Sequence, residues 1–425
     1  MSFTKFQFHP TIQAAVDSCG YTVPTPIQEQ AIGPVLAGRD LLGLAQTGTG
    51  KTAAFVLPIL ARLMGSNAGR KRTRALIVAP TRELVEQIHQ YIGKMAGETG
   101  LESIPVYGGV SKSSQARKAR AGVDIIVACP GRLLDLVNDG AVDLRLIEIL
   151  VLDEADHMFD KGFLPDIRRI MKQVPRKRQT LVFSATMPAE IRHLAEEILT
   201  EPVTVQINPS RPVATITHLL YAVEQNAKIT LLKKILQEKN PDSAIVFTRT
   251  KHKAKTLALQ LEKAGCRSVA LQGNMSQQKR QMALDGFKNG KYTILVATDI
   301  AARGIDVAGI SHVINFDMPS TAETYTHRTG RTGRASRTGT ALTFATSEDT
   351  RMISLIERAL GKKMDREAIS VSVCTSADGD LEEKKARFSP VMPTRKKNTP
   401  TGSGGRSRSR RSSSTSVFGM NKSVR

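Results

Sequence analysis

The chain has 425 residues, 40% of them hydrophobic, enough for two packed domains of ordinary size and something more. Its formal charge of +22 points to a polyanionic partner, nucleic acid before an acidic membrane surface. No stretch approaches the roughly 20 uninterrupted apolar residues of a membrane span, Met1-Ser2-Phe3-Thr4-Lys5-Phe6 lacks the form of an export signal, and a cytoplasmic protein is expected. Cys19, Cys129, Cys266 and Cys374 lie too far apart for a metal knuckle or redox pair and are read as reduced thiols.

Residues 40 to 205 alternate short apolar runs with helical stretches, the pattern of a parallel sheet covered by helices. The expected strands are Leu41-Leu42-Gly43-Leu44, Ala75-Leu76-Ile77-Val78, Asp124-Ile125-Ile126-Val127, Ile149-Leu150-Val151-Leu152 and Leu181-Val182-Phe183. Directly after the first comes Ala45-Gln46-Thr47-Gly48-Thr49-Gly50-Lys51-Thr52, spaced as a phosphate loop with Ala45 in place of the usual leading glycine. Glycines let consecutive N–H groups face phosphates, Lys51 reaches the terminal ones, and the Thr52 hydroxyl suits Mg2+. After the fourth comes Asp153-Glu154-Ala155-Asp156, a carboxylate where a buried strand ends, the place for holding a metal opposite such a loop.

Around Ile207-Asn208-Pro209-Ser210-Arg211-Pro212 the periodicity lapses, as in a linker, here set at 207–216. The alternation resumes through Ala244-Ile245-Val246-Phe247, Ser268-Val269-Ala270-Leu271, Thr293-Ile294-Leu295-Val296, Val313-Ile314-Asn315-Phe316 and Ala341-Leu342-Thr343-Phe344, with no second phosphate loop. A second α/β domain of this kind is expected to complete the first domain's site across a cleft. Beyond residue 370 the pattern fades into a Ser-, Arg-, Gly- and Thr-rich tail; residues 384–425 hold twelve Lys or Arg and no Asp or Glu, so the tail carries +12 of the net charge. Such a segment cannot bury enough surface to offset its ordering entropy, and a disordered basic tail is expected over 370–425.

The remaining strand-end strings form an ordered set: Phe3, then Gly20-Tyr21-Thr22-Val23-Pro24-Thr25-Pro26-Ile27-Gln28, Pro80-Thr81-Arg82-Glu83-Leu84, Gly108-Gly109, Pro130-Gly131-Arg132 and Ser184-Ala185-Thr186. Then come Phe247-Thr248-Arg249-Thr250, Gln272-Gly273, Ala297-Thr298-Asp299-Ile300-Ala301-Ala302-Arg303-Gly304-Ile305-Asp306 and His327-Arg328-Thr329-Gly330-Arg331-Thr332-Gly333-Arg334. Together with the phosphate loop and the acidic tetrad, this set closely resembles the DEAD-box ATP-dependent RNA helicases over residues 3 to 369. The wording of residues 247–252 and 273–277 is similar to the bacterial RhlE-type subgroup.

The resemblance implies two tandem RecA-like parallel-sheet domains, over 1–206 and 217–369, and an RNA-stimulated ATPase that binds RNA across both and melts short duplexes locally. It assigns the adenine edge to Gln28, with ring stacking to Phe3, which would otherwise be a hydrophobic anchor. ATP phosphates go to the loop from Ala45 to Thr52, magnesium to Thr52 and Asp153, the attacking water to Glu154, the ribose to Asp306, and transition-state charge to Arg331 and Arg334. Ser184 and Thr186, as isolated residues no more than a helix cap, would couple the sites through Asp156 and His327. RNA phosphates and sugars would meet Arg82, Gly108, Gly109, Arg132, Arg249, Gly273 and Thr298. Such contacts hold a strand without reading it. Cys129 stands where the family usually has threonine, and a thiol donates more weakly than a hydroxyl. Ribosomal precursors or RNA-decay complexes are the partner classes, with the core a monomer. An ATP-switched RNA clamp or scaffold, and a DNA helicase, are the rival readings.

Overall fold

The computed structural model describes residues 2–46, 48–65, 72–207, 216–302, 310–333 and 338–367. Thr47, Asp306, Arg334, Cys374, most of the linker and the whole basic tail therefore lie outside the described residues.

Two parallel sheets of seven strands carry the fold. The first holds β1 (Leu41–Leu44), β2 (Ala75–Val78), β3 (Ser103–Val106), β4 (Ile125–Ala128), β5 (Ile149–Leu152), β6 (Gln179–Ser184) and β7 (Val203–Gln206). The second holds β8 (Ile216–Ala222), β9 (Ala244–Phe247), β10 (Ser268–Leu271), β11 (Ile294–Ala297), β12 (His312–Asn315), β13 (Gly339–Ala345) and β14 (Asp365–Glu367). The spatial orders are β3-β4-β2-β5-β6-β1-β7 and β10-β11-β9-β12-β13-β8-β14. Adding seven to each number of the first order yields the second, so both lobes have one topology.

Central strands such as β2, β4 and β5 are continuous apolar runs because helices cover both faces of the sheet. Alternate side chains then enter two separate cores. Ile77, Val127, Val151 and Leu181 pack on one face with the N-terminal helices and the helix Lys51–Met64, while Leu76, Ile126, Leu150 and Val182 pack on the other. In the second lobe Val246, Val296 and Ile314 face one core, and Ile245, Leu295 and Val313 the other.

The structure corrects the expected strands in two ways. Three slip by one residue: the strands expected to start at Asp124, Thr293 and Val313 begin at Ile125, Ile294 and His312, and the Asp124 carboxylate pairs with Arg74 at 3.2 Å. Four strands have no counterpart in the sequence reading: β3, β7, β8 and β14. Three of these flank the sheets, where one side is open, so apolar runs are not required; β3 even carries Pro105, a residue edge strands tolerate. In β8 the buried His218 interrupts the apolar run. No described helix is long and apolar enough to cross a membrane.

Candidate active site

The turn after β1 is shaped by its neighbours. Gly50 has φ +95, and a Cβ on it would lie 2.4 Å from Gln28 Nε2. Glycine is required there both by backbone conformation and by close approach. Gln28 is almost fully buried, accepting from Thr25 N at 2.9 Å through Oε1 and donating from Nε2 to Gly50 O at 3.2 Å. Thr25 Oγ1 donates to Thr49 O at 2.7 Å. In this arrangement Gln28 is a brace between its own helix start and the phosphate loop. Gly50 then opens the helix Lys51–Met64, whose first N–H groups have no partners within the helix and favour an anion. Lys51 is 6% exposed and its Nζ has no hydrogen-bond partner among the described residues, while Thr52 is half-buried beside it.

Opposite stands the end of β5. Asp153 N donates to Val78 O at 2.9 Å, extending the β2–β5 ladder, and the next residue, Glu154, turns into the left-handed region with φ 52. Asp153 is 2% exposed; burial pushes its carboxyl up to about 6, against the pull of Lys51, with Glu154 adding repulsion. Glu154 is also buried, which by itself would raise its pKa. The hydrogen bond with His157 and the charges of Lys51, His157 and Arg331 outweigh this and bring it to about 2. A buried ammonium without a partner, facing a buried and reluctantly ionised carboxylate, suits phosphate with a hydrated divalent cation.

Asp156 ties the tetrad to β6. Its Oδ2 accepts from Ala185 N at 3.1 Å, Thr186 N at 2.9 Å and Thr186 Oγ1 at 3.0 Å, and its own N–H donates to Ser184 Oγ at 3.2 Å. The Ser184 and Thr186 hydroxyls thus meet Asp156 directly. From the second lobe, Arg331 is 6% exposed and its charge acts on Glu154, while His327 is half-buried in the helix Ala322–Thr329. Phe3 differs from its expected place: it is fully buried, edge-on to Phe6 and Tyr21, with no ring face open to a base. Its packing is that of an anchor, and a stacking role would need the ring to turn out.

The expected RNA residues fall on a different part of the same sheet ends. Arg82 follows β2, Gly108 and Gly109 follow β3, and Arg132 follows β4; Arg249, Gly273 and Thr298 follow β9, β10 and β11. The nucleotide residues follow β1, β5 and β6. In the strand order these are opposite halves of the sheet. Gly109 has φ +86 and lies so near Arg82 that a Cβ there would sit 2.8 Å from its guanidinium carbon. Arg132 Nη1 donates to Tyr107 O at 3.3 Å and Val110 O at 3.2 Å, holding the same turn. Arg249 and Gly273 are exposed and Thr298 is half-buried. Cys129 begins the helix Pro130–Asn138 without a side-chain cap, and burial pushes its thiol up to about 12, so it stays protonated.

Sequence reasoning missed three groups. Arg280 Nε meets Glu83 Oε1 at 2.7 Å across the lobes, with side chains only 10% and 8% exposed. Arg328 grips Asp299 at 2.6 and 2.8 Å, donates to Asn315 Oδ1 and Asp317 O, and lies over the Phe247 ring. His157 Nδ1 lies 3.3 Å from Glu154 Oε2. Glu83, Arg328 and Asp299 stand inside strings already singled out, whereas Arg280, 197 positions from Glu83, carries no local signal.

Residues 25–194 match the DEAD/DEAH box helicase model and residues 227–336 the helicase conserved C-terminal domain. The DEAD-box ATP-dependent RNA helicase CshA of Bacillus subtilis (strain 168) is 41% identical over 367 residues, covering 86% of this chain and 74% of that protein. CshA of Geobacillus kaustophilus (strain HTA426) is 41% identical over 366 residues, covering 86% and 78%. Among solved structures, S. cerevisiae Dbp5 bound to RNA and ADP BeF3 aligns with a TM-score of 0.78 at 30% identity, covering 86% of this chain and 95% of that one. A DEAD box protein from Methanococcus jannaschii, 33% identical over 86% of this chain and 99% of its own, aligns at 0.52. These alignments span most of the chain, including both lobes. In sequence, in strand order and in the pairing of a phosphate loop with an Asp-Glu-Ala-Asp strand end, the chain belongs to the DEAD-box helicase family.

Proposed function

We propose that this chain hydrolyses ATP in response to RNA and uses the cycle to melt short duplexes and remodel RNA or RNA-protein complexes. The observation that carries this is the meeting of Lys51, Asp153 and Glu154 with the charge of Arg331 from the other lobe, while the RNA residues line the other half of both sheets. Lobes 1–206 and 217–369 close on ATP and RNA together. Lys51 binds the terminal phosphates, Gln28 favours adenine, Asp306 the ribose, and Arg331 and Arg334 neutralise charge as it moves to the leaving oxygen. Glu154 orients the attacking water and takes its proton as the water oxygen joins the γ-phosphorus and ADP departs. Mg2+, held by Thr52 and Asp153, would neutralise the β- and γ-phosphates when bound. Asp156, Ser184, Thr186 and His327 would carry closure between the two sites.

Sequence-independent phosphate contacts and the basic tail fit structured RNA in general, with ribosomal precursors and decay complexes as candidate settings. The wording of residues 247–252 favours RhlE-type kinship, although the relatives described above bear the name CshA. A second reading, an ATP-switched clamp, draws support from Glu154: His157, Lys51 and Arg331 lower its pKa, and a lowered carboxylate is a weaker base, which favours slow turnover and a persistent closed state. Strand displacement with and without ATP separates the two.

The assignment is tested by Lys51→Ala and Glu154→Gln. The first should weaken ATP binding and hydrolysis together. The second should keep ATP and RNA binding while lowering single-turnover hydrolysis by about 100-fold or more. Near-normal hydrolysis by the Glu154 variant would remove it as the base.

A further inference from the structure

Glu154 reaches its place by an unusual route. Its left-handed backbone, φ 52, turns the carboxylate out of line with β5 and leaves it as the N-cap of the short helix Ala155–Asp160. Nothing in the strand ladder then fixes the side-chain torsions. Residue 157 lies three positions on, one turn up the same face, within reach of it. There His157 brings Nδ1 to 3.3 Å from Glu154 Oε2, with side chains 7% and 10% exposed. A carboxylate only accepts, so Nδ1 must carry the hydrogen. Glu154 Oε1 makes no hydrogen bond among the described residues.

We propose that His157 is the positioning residue of this carboxylate: its Nδ1–H holds Oε2 and leaves Oε1 as the oxygen that meets the attacking water. This rests on the reading of Glu154 as the water-activating group. It assigns His157 no contact with ATP and no proton transfer of its own. The backbone N–H of His157 donates to Asp156 Oδ1 at 3.0 Å, so the histidine is anchored to the same carboxylate that Thr186 grips. The orientation of Glu154 is thereby tied to the β5–β6 coupling element. A space-filling role for His157 would need the ring volume but not the donor.

The test compares His157→Phe, which keeps the ring and loses the donor, with His157→Asn, whose Nδ2 falls close to the place of Nδ1. Both are measured in the full chain for ATP hydrolysis at saturating RNA. Phe should lower kcat on the order of 10-fold, because a misplaced group loses most of its catalytic effect, while the KM for ATP moves less than about twofold. Asn should return kcat to within about threefold of the parent. Unchanged kcat in the Phe variant, or an equal loss in the Asn variant, overturns the proposal. Should the Phe variant fail to melt cooperatively, His157→Leu is judged by the same criteria. Glu154→Gln, assayed alongside, keeps the two ideas apart: full activity there sinks the reading of Glu154 itself, whereas an inactive Glu154 variant beside an unaffected His157→Phe sinks only the role of His157.

Discussion

Two carboxylates one residue apart are driven in opposite directions. For Asp153 burial outweighs the pull of Lys51 and the pKa rises to about 6; for Glu154 the hydrogen bond with His157 and the charges of Lys51 and Arg331 outweigh burial and it falls to about 2. For Asp153 the folded state binds the proton more tightly than the unfolded chain, so its ionisation costs stability above pH 6, and the cost disappears as pH falls toward 4. The shift corresponds to about 2–3 kcal/mol in the metal-free protein at neutral pH. Asp153→Asn removes the charge and should raise the melting temperature of the nucleotide-free protein at pH 7.5 by about 4 °C, with about half that gain at pH 5, while abolishing hydrolysis. Melting curves of both proteins at the two pH values check this; a lower melting temperature for the variant at pH 7.5 would count against the charge cost. Cys129 is shifted in the same direction as Asp153: burial keeps its thiol neutral throughout the working range, leaving a weak donor where the family's threonine would donate well.

At the level of elements, function follows strand order. The loops after β3, β4 and β2 present the RNA residues and those after β1, β5 and β6 the nucleotide residues, and the second sheet repeats the RNA half with β10, β11 and β9. The helix Arg82–Ala96 serves both binding and closure, because Arg82 lies against the Gly109 turn while its neighbour Glu83 meets Arg280 of the helix Gln277–Lys288 in the other lobe. Removing one partner of a buried ion pair costs about 3–5 kcal/mol when the survivor is trapped. Here Arg280 keeps Gln272 O and Ala301 O of its own lobe as acceptors, so the expected loss is in the contact between the lobes rather than in the fold of either. Glu83→Gln should therefore weaken the ATP-dependent gain in RNA affinity by about 10-fold, equivalent to about 1.4 kcal/mol, with thermal stability nearly unchanged. RNA titrations with and without a non-hydrolysable ATP analogue measure it, and an intact ATP-dependent gain would show that the pair does not support closure.

For the whole molecule, two lobes of one topology divide unequal tasks. The first holds the phosphate loop and acidic tetrad; from the second, the charge of Arg331 acts on Glu154. A fragment of residues 1–207 contains the first sheet with both its cores and should fold, yet show no RNA-stimulated ATP hydrolysis, since it lacks that arginine. Appreciable RNA-stimulated turnover by the fragment would contradict a site completed across the lobes. The tandem α/β plan, the phosphate loop, Asp153 and Glu154, and the rows of glycine and arginine at strand ends were legible in the chain itself. Buried parallel strands must be apolar runs and ligand-binding turns must follow them at once, so both leave contiguous signatures. What the tertiary structure alone decided is of another kind. The strands β3, β7 and β14 lack apolar runs because one side of each is open. Phe3 is an anchor because Phe6 and Tyr21 close around its ring. The pairings of Arg280 with Glu83, Arg328 with Asp299 and His157 with Glu154 depend on which surfaces the fold brings face to face, and a charge carries no mark in sequence of the partner it will meet.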